Sequence, residues 1–187
     1  MIDHFTWLAP FYEKVIPPPD PDEILELLQP HRSGGQLLDA GGGTARVSGQ
    51  LTDYYDEVVI ADLNRAMLRQ TKEKQKVQPV CAHVEALPFP DGYFSNVLII
   101  DALHHFCDQT ESLREAVRVL KKRGRLVIGE PDINNIFVKG IALFEKLALM
   151  RSRFLAPEAI KGIVDSFGFH AEITRDNPWS AWITVVK

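Results

Sequence analysis

The stretch from Leu37 to Val47, LLDAGGGTARV, constrains the fold of this chain more than any other. An apolar run leads to an acid, Asp39, and three consecutive glycines follow from Gly41 to Gly43. Glycine allows positive φ angles and places no Cβ between the backbone and a ligand. The pattern predicts a short buried strand, a glycine turn, and a helix whose free N–H groups point at that turn. In an alternating α/β chain, such a unit binds a nucleotide-like cofactor.

The spacing of the glycines argues against a dinucleotide, because the third glycine of a G-x-G-x-x-G fingerprint is Arg46 here. Asp39 would repel a pyrophosphate but suits a ligand with a cationic amino group. S-adenosylmethionine (SAM) has a sulfonium, an amino group and no phosphate. The turn resembles the first motif of the class I SAM-dependent methyltransferases, an acid followed by G-x-G-x-G, with Ala45 at the last glycine. A glycine turn that binds no ligand is the alternative.

A second acid stands where a ribose would need it. The segment Glu57 to Asp62 reads as a strand that ends on a carboxylate, roughly 20 residues past the glycine turn. Such a carboxylate accepts hydrogen bonds from ribose hydroxyls. Leu63 and Met67 follow and fit the pattern for packing beside an adenine, although Met67 fits a helix core equally well.

The most specific resemblance lies in the stretch from His83 to Phe94, HVEALPFPDGYF. It resembles the D-A-E-x-L-P-F-x-D-x-x-F stretch of the methyltransferases of the ubiquinone and menaquinone biosynthesis type, known as methyltransferase type 11. In that family the leading acid bonds the adenine amino group. Here the position is His83, whose unprotonated ring nitrogen also accepts a hydrogen bond, and backbone groups around Val84 and Glu85 add further contacts.

The next strand, Ser95 to Ile100, ends in Asp101-Ala102-Leu103-His104-His105, which resembles the family's A-L-H-H segment. Ligands of open α/β sheets bind at such strand ends. His104 and His105 are candidate proton acceptors, with packing beneath the site as the alternative for His105, and Tyr12 is a third candidate. Adjacent histidines rarely bind one metal ion, so no metal is expected. The resemblance implies cofactor contacts from Asp39, Ala40, Gly41, Gly42, Gly43, Asp62, Leu63, Met67, His83, Val84, Glu85, Asp101 and Ala102.

Two segments remain for the methyl acceptor. Residues 1–19 form an aromatic N-terminal arm that ends in a proline-rich spacer. Residues 132–155 form an insertion in which Ile136 to Arg153 reads as a helix that is apolar on two sides. The resemblance implies that this insertion covers an acceptor pocket, and a packing or homodimer contact is the alternative. Both segments predict a small, largely apolar acceptor.

The remaining pattern predicts helices at residues 20–28, 64–75, 110–121 and 157–167, a strand at 79–83 and another at 125–130 after a turn at 122–124. A hairpin at 169–174 and 179–186 closes the chain. We expect one domain over residues 1–187. The resemblance implies an α/β, Rossmann-like, doubly wound sheet of seven strands, mostly parallel with an antiparallel edge strand.

Composition bears on the partners and the cellular compartment of the protein. The net charge of −4 gives no electrostatic reason to expect nucleic acid. No long apolar run predicts a transmembrane segment, and two cysteines without paired spacing favour a reducing cytoplasm. The expected function is methyl transfer from SAM, with S-adenosylhomocysteine as product. The alternatives are a protein that binds SAM or S-adenosylhomocysteine without catalysis, and a nicotinamide-dependent reductase.

Overall fold

The computed structural model describes residues 18–31, 34–74, 76–147 and 152–187. The aromatic arm, with the candidate base Tyr12, lies outside these residues.

A seven-stranded sheet forms the centre of the molecule. Its strands have the order β3-β2-β1-β4-β5-β7-β6, and only β7 runs in the direction opposite to the other six strands. The predicted α/β fold, with a mostly parallel seven-stranded sheet and an antiparallel strand at one side, is confirmed. The antiparallel strand β7 lies one position inside the edge strand β6. The strands are β1 Gln36–Ala40, β2 Glu57–Asp62, β3 Val77–Cys81, β4 Phe94–Ile100, β5 Leu120–Pro131, β6 Ala171–Thr174 and β7 Ser180–Val186.

The register of the central strands determines where a site can form. Ala40 on β1 pairs with Ala61 on β2, and Asp39 pairs with Leu98 on β4. The carboxyl ends of these three strands therefore meet at one edge of the sheet. Because β1 and β4 are covered on both faces, their inner residues are almost all apolar and buried.

Five α-helices accompany the sheet in the described residues. They are α1 Pro21–Leu28, α2 Arg65–Arg69, α3 Gln109–Val119, α4 Ile136–Leu147 and α5 Pro157–Ser166. Apolar side chains of α1 form one buried core with one face of the sheet, while α3 and α5 form a second core. Asp20 caps α1 and Asp108 caps α3, each by accepting a backbone N–H.

The helix predicted directly after the glycine turn is absent from the described structure. Residues 43–47 are turns and only a short 3₁₀ helix, Ser48–Gln50, follows. The reason lies in the backbone, since both Gly43 and Ala45 have positive φ angles, 53° and 60°, which interrupt an α-helix. No α-helix dipole therefore points at the turn from this segment.

Several other elements also differ from the prediction in their bounds. Helix α2 begins at the Asn64 cap and ends at Arg69, where the chain continues as a 3₁₀ helix, Gln70–Glu73. Strand β3 begins and ends two residues early. The predicted turn at 122–124 is a bulge inside β5, where Phe94 pairs with Leu120 but Asn96 pairs with Arg125.

A further difference from the prediction concerns the helix of the apolar insertion. Helix α4 spans Ile136–Leu147 in the described residues, and residues 152–156 are not helical. The prediction of a helix to residue 153 is wrong at its last two residues, because the Arg153 N–H donates to the distant His104 carbonyl instead of to a carbonyl four residues earlier. In the described part of the chain, none of the helices combines the length and apolar character that crossing a bilayer requires.

Candidate active site

The glycine turn begins where β1 ends. The Gly41 N–H donates to the Ala61 carbonyl at 2.7 Å, which holds the turn against β2. The Gly43 N–H donates to Asp62 Oδ2 at 3.0 Å. Gly41 and Gly43 have φ angles of 77° and 53°, which few residues other than glycine adopt. The sequence prediction that this turn depends on glycine agrees with its backbone.

Asp62 ends β2 as predicted and connects two loops. Its Oδ1 accepts the Asn64 N–H at 2.6 Å, while Oδ2 accepts the Gly43 N–H. A carboxylate oxygen has two lone pairs and can accept more than one hydrogen bond. The neighbouring Leu63 is 50% exposed, an unusual position for a large apolar side chain. Met67, in contrast, is buried in α2, and its Cε lies beside the glycine turn at Gly43.

The adenine candidates divide between surface and interior. The side chain of His83 is 61% exposed, and its Nδ1 lies 3.5 Å from Glu85 Oε2. Val84 is buried in the core. Glu85 Oε1 accepts the backbone N–H of Cys107 at 2.9 Å and that of Asp108 at 3.3 Å, so this carboxylate anchors the segment that leads into α3.

Asp39 is a buried acid at this edge. It is 3% exposed, and Ser48 donates its hydroxyl to Oδ2 at 2.6 Å. Burial raises the pKa of Asp39 to about 6, while the Ser48 hydrogen bond and the Arg46 charge oppose that rise. The Asp39 carboxyl is therefore held by the Ser48 hydroxyl, and its raised pKa lets it change charge near pH 6.

Arg46 has a role that the sequence analysis missed. Its buried guanidinium bonds Asp101 Oδ2 at 2.8 Å and connects the glycine turn to the loop after β4. Burial and the Glu130 carboxylate raise the pKa of Asp101, and Arg46 lowers it. From the sequence, Arg46 served only as an argument against a dinucleotide. Its pairing with Asp101 spans 55 residues, and no local sequence pattern indicates such a contact.

The space beside Gly41 is occupied by protein. A Cβ at Gly41 would lie 2.7 Å from Ala102 Cβ and 2.9 Å from the Phe106 ring. Glycine is needed here as expected, but the reason differs. A Cβ at Gly41 would meet the loop after β4, which packs directly on the turn, and not the space of a ligand. Gly41 is required by a close approach within the chain, and Phe106 is a second residue that the sequence analysis missed.

Glu130, near the end of β5, holds that loop in place. Its Oε1 accepts the backbone N–H groups of Ala102 and Leu103 at 2.9 and 2.8 Å. Its Oε2 lies 2.6 Å from His104 Nδ1, and both side chains are buried. An acid at the carboxyl end of a central strand was a signal in the sequence, since ligand and loop contacts concentrate there.

The two histidines have different surroundings. His104 stacks on Phe154 with a centroid separation of 4.3 Å, and its carbonyl accepts the Arg153 N–H at 2.7 Å. His105 Nδ1 lies 3.2 Å from Ser152 Oγ. Burial, together with His104, lowers the pKa of His105 to about 3. His105 is therefore neutral across the physiological range. The described residues contain no group of three or more potential metal-binding side chains.

Comparison with known proteins identifies the family. The sequence profile of the methyltransferase domain matches residues 38–128. The ubiquinone/menaquinone biosynthesis C-methyltransferase UbiE of Serratia proteamaculans is 31% identical over 169 residues, which cover 74% of this chain and 67% of that relative. The chain belongs to the class I SAM-dependent methyltransferases of type 11. This methyltransferase also matches the UbiE of Yersinia enterocolitica, at 39% identity over 109 residues that cover 53% of the chain but only 43% of the relative.

The fold agrees with the family. A putative methyltransferase of Haloferax volcanii, solved in complex with the Trm112 methyltransferase activator, superposes with a TM-score of 0.79 at 15% identity. The match covers all of this chain and 98% of that one. SAM is the cofactor expected of a methyltransferase of this family.

The described residues at this edge fit SAM. This edge carries three carboxylates, on Asp39, Asp62 and Asp101, and the Arg46 guanidinium bonds one of them, Asp101, so the site favours a cation over a pyrophosphate. A Cβ at Gly43 would approach Met67 Cε to 3.1 Å and Asp62 Oδ2 to 3.8 Å, so only glycine leaves the turn open there. The buried Thr44 Oγ1 has no hydrogen-bond partner among the described residues and can still bond a polar ligand.

Proposed function

We propose that this protein transfers a methyl group from SAM to a small, largely apolar acceptor. The observation that carries the proposal is the connection of the Gly41–Gly43 turn to Asp62, directly beside the exposed Leu63. A positive-φ glycine turn, a carboxylate within hydrogen-bonding reach of it and an uncovered apolar side chain match the amino-acid, ribose and adenine parts of SAM.

The proposal assigns roles to the residues of this edge. The turn and Asp101 hold the amino-acid end of the cofactor, and Asp62 accepts the ribose hydroxyls. Leu63 and His83 flank the adenine. Asp39 supports the turn through Ser48. The other predicted contacts, at Ala40, Met67, Val84, Glu85 and Ala102, act through backbone groups or through packing.

When bound, SAM supplies a methyl group on a positively charged sulfur and leaves as neutral S-adenosylhomocysteine. The chain has two further tasks. It must hold the acceptor in line with the methyl group, an effect that supplies about 7–11 kcal/mol in well-oriented reactions. It must also accept the proton that a hydroxyl or ring-carbon acceptor loses. His104, His105 and Tyr12 are the candidates for that proton.

The acceptor class follows from α4 and from the relatives. Ile136, Phe137 and Leu143 of α4 are 71%, 64% and 59% exposed, and Phe137 contacts Trp179 at 4.9 Å between ring centroids. We propose that this insertion covers an apolar acceptor, with a homodimer contact as its other use. The UbiE relatives are named for C-methylation in quinone biosynthesis. A hydroquinone with an unsubstituted ring carbon is accordingly the first acceptor class to test.

The remaining expectations belong to the same proposal. Residues 1–187 act as one domain, in the cytoplasm, with residues 1–19 as an arm beside the site. The alternative function is binding of SAM or S-adenosylhomocysteine without catalysis. The departures from the family pattern at His83 and at Ser95, where the family commonly has an acid, favour keeping this alternative.

Two experiments test the proposal. Isothermal titration calorimetry with SAM, S-adenosylhomocysteine and NADH should show binding of the first two only. Incubation with SAM and a panel of phenols, hydroquinones and amines should then give S-adenosylhomocysteine with at least one acceptor. Binding of NADH instead of SAM would refute the cofactor assignment. Binding of SAM with no product from any acceptor would favour the alternative.

A further inference from the structure

Three nitrogen groups converge on the buried carboxylate of Glu130. Two are the backbone N–H groups of Ala102 and Leu103 on Oε1, and the third is Nδ1 of His104 on Oε2 at 2.6 Å. Glu130 and His104 have side-chain exposures of 4% and 6%. This carboxylate reaches the loop after β4 from a different strand, so the contact is made by the fold and not by sequence proximity.

The chemistry of the pair determines which nitrogen of His104 carries hydrogen. An ionised carboxylate can only accept, so the close contact requires a hydrogen on Nδ1. In neutral imidazole the other nitrogen, Nε2, is then the acceptor. The stacking of His104 on Phe154 holds the ring in that orientation. The pair therefore presents Nε2 as the basic end of His104.

The described surroundings of His105 differ from those of His104. Its low pKa, about 3, makes its neutral ring a poor proton acceptor near neutral pH, where the best catalytic bases titrate. The described neighbour of its Nδ1 is a hydroxyl, Ser152 Oγ. A carboxylate partner stabilises the positive charge that a histidine gains with a proton, and a hydroxyl does so less.

We propose that Glu130 is a positioning residue that holds His104 in its Nδ1-protonated form, so that His104, not His105, accepts the proton released by the methyl acceptor. The inference rests on the proposed function. The acceptor loses one proton to Nε2 of His104, and the electron pair left behind forms the new bond to the methyl carbon while the bond from that carbon to sulfur breaks and its electron pair stays on the sulfur. Glu130 stabilises the resulting imidazolium, which later returns the proton to solvent.

The substitution Glu130→Gln tests the tautomer directly. Its amide oxygen is needed by the two backbone N–H groups, so its NH₂ group faces His104 and requires an acceptor at Nδ1. Nitrogen-15 NMR of histidine-labelled protein should show hydrogen on Nδ1 in the wild type and on Nε2 in the variant. The exposed Glu172→Gln on β6 is the matched control and should leave both the tautomer and turnover unchanged.

Turnover and binding should separate in the same variant. With a short-chain prenylated 1,4-naphthoquinol as acceptor, Glu130→Gln should lower kcat by about 10²- to 10⁴-fold, the range for a histidine held in the wrong tautomer. SAM affinity by calorimetry should change less than about threefold, since Glu130 is not assigned a contact with it. A wild type with hydrogen on Nε2, or a variant with unchanged kcat, would overturn the inference.

A second variant covers the case in which Glu130→Gln does not fold. In His104→Asn the amide N–H still donates to Glu130, which preserves the loop, but no basic nitrogen remains. SAM binding should persist and turnover should fall by about 10²-fold or more. If the wild type is active and His104→Asn keeps its rate, only the inference fails. If the wild type transfers no methyl group to any acceptor, the proposed function fails and the inference falls with it.

Discussion

The close approach at Gly41 yields a quantitative prediction for Gly41→Ala. The new Cβ would meet Ala102 at 2.7 Å and the Phe106 ring at 2.9 Å, so neighbours must move. Overpacking of this kind costs about 1–3 kcal/mol. The φ angle of 77° adds about 1–2 kcal/mol for a residue with a Cβ. We expect the free energy of unfolding to fall by about 2–5 kcal/mol.

Urea unfolding followed by circular dichroism at 25 °C measures this loss. The matched control is Gly162→Ala in α5, where a Cβ would meet nothing within 4 Å. That substitution should raise the free energy of unfolding by about 0.5–1 kcal/mol, since alanine favours a helix over glycine. Adding Phe106→Ala to Gly41→Ala should recover part of the overpacking cost relative to the two single variants.

Two results would refute the reasoning. A loss below about 1 kcal/mol in Gly41→Ala would mean that the turn relaxes without cost. Strict additivity of Gly41→Ala and Phe106→Ala would mean that the ring does not restrict this position.

Three further predictions concern binding, pH and the arm. Asp62→Ala should weaken SAM binding by about 1.5–3 kcal/mol, the range for hydrogen bonds to a charged group, and unchanged calorimetric affinity in a folded variant would exclude the ribose assignment. The raised pKa of Asp39, about 6 against 3.8 unfolded, means that its stabilising contribution is present below pH 3.8 and is lost as pH rises through 6. Asp39→Asn should therefore gain about 3 kcal/mol relative to the wild type between pH 3.5 and 7.5, as measured by urea unfolding; a constant difference would contradict this. Deletion of residues 1–16 should spare the fold and lower methyl transfer if the arm excludes water from the site; full turnover in the truncated protein would show that the arm is not needed.

The sheet was predictable because its signals are local. The apolar runs of β1, β2 and β4 are continuous, the acid at Asp62 ends its strand, and the hairpin of β6 and β7 is marked by Asn177, whose side chain caps the turn. Each of these patterns lies within a few residues, where steric and hydrogen-bonding preferences act without help from the rest of the fold.

The contacts that shape the site were not predictable in the same way. Arg46 pairs with Asp101, Glu130 holds His104, and Phe106 packs on Gly41, each across many residues. Such pairs depend on strand order and register, which bring distant loops to one edge of the sheet. The prediction of a helix after the glycine turn was wrong for a related reason. Ala45 adopts a positive φ angle that its residue type disfavours, so nothing in the sequence indicated it.

The most direct test of the central claim is transfer of an isotope-labelled methyl group. The protein is incubated with SAM that carries a deuterated methyl and with a short-chain prenylated 1,4-naphthoquinol that has an unsubstituted ring carbon. The account predicts, by mass spectrometry, one deuterated methyl group on the quinol and an equal amount of S-adenosylhomocysteine. It also predicts that both products fall together in Asp62→Ala. S-adenosylhomocysteine without labelled quinol, or labelled quinol at the uncatalysed rate, would contradict it.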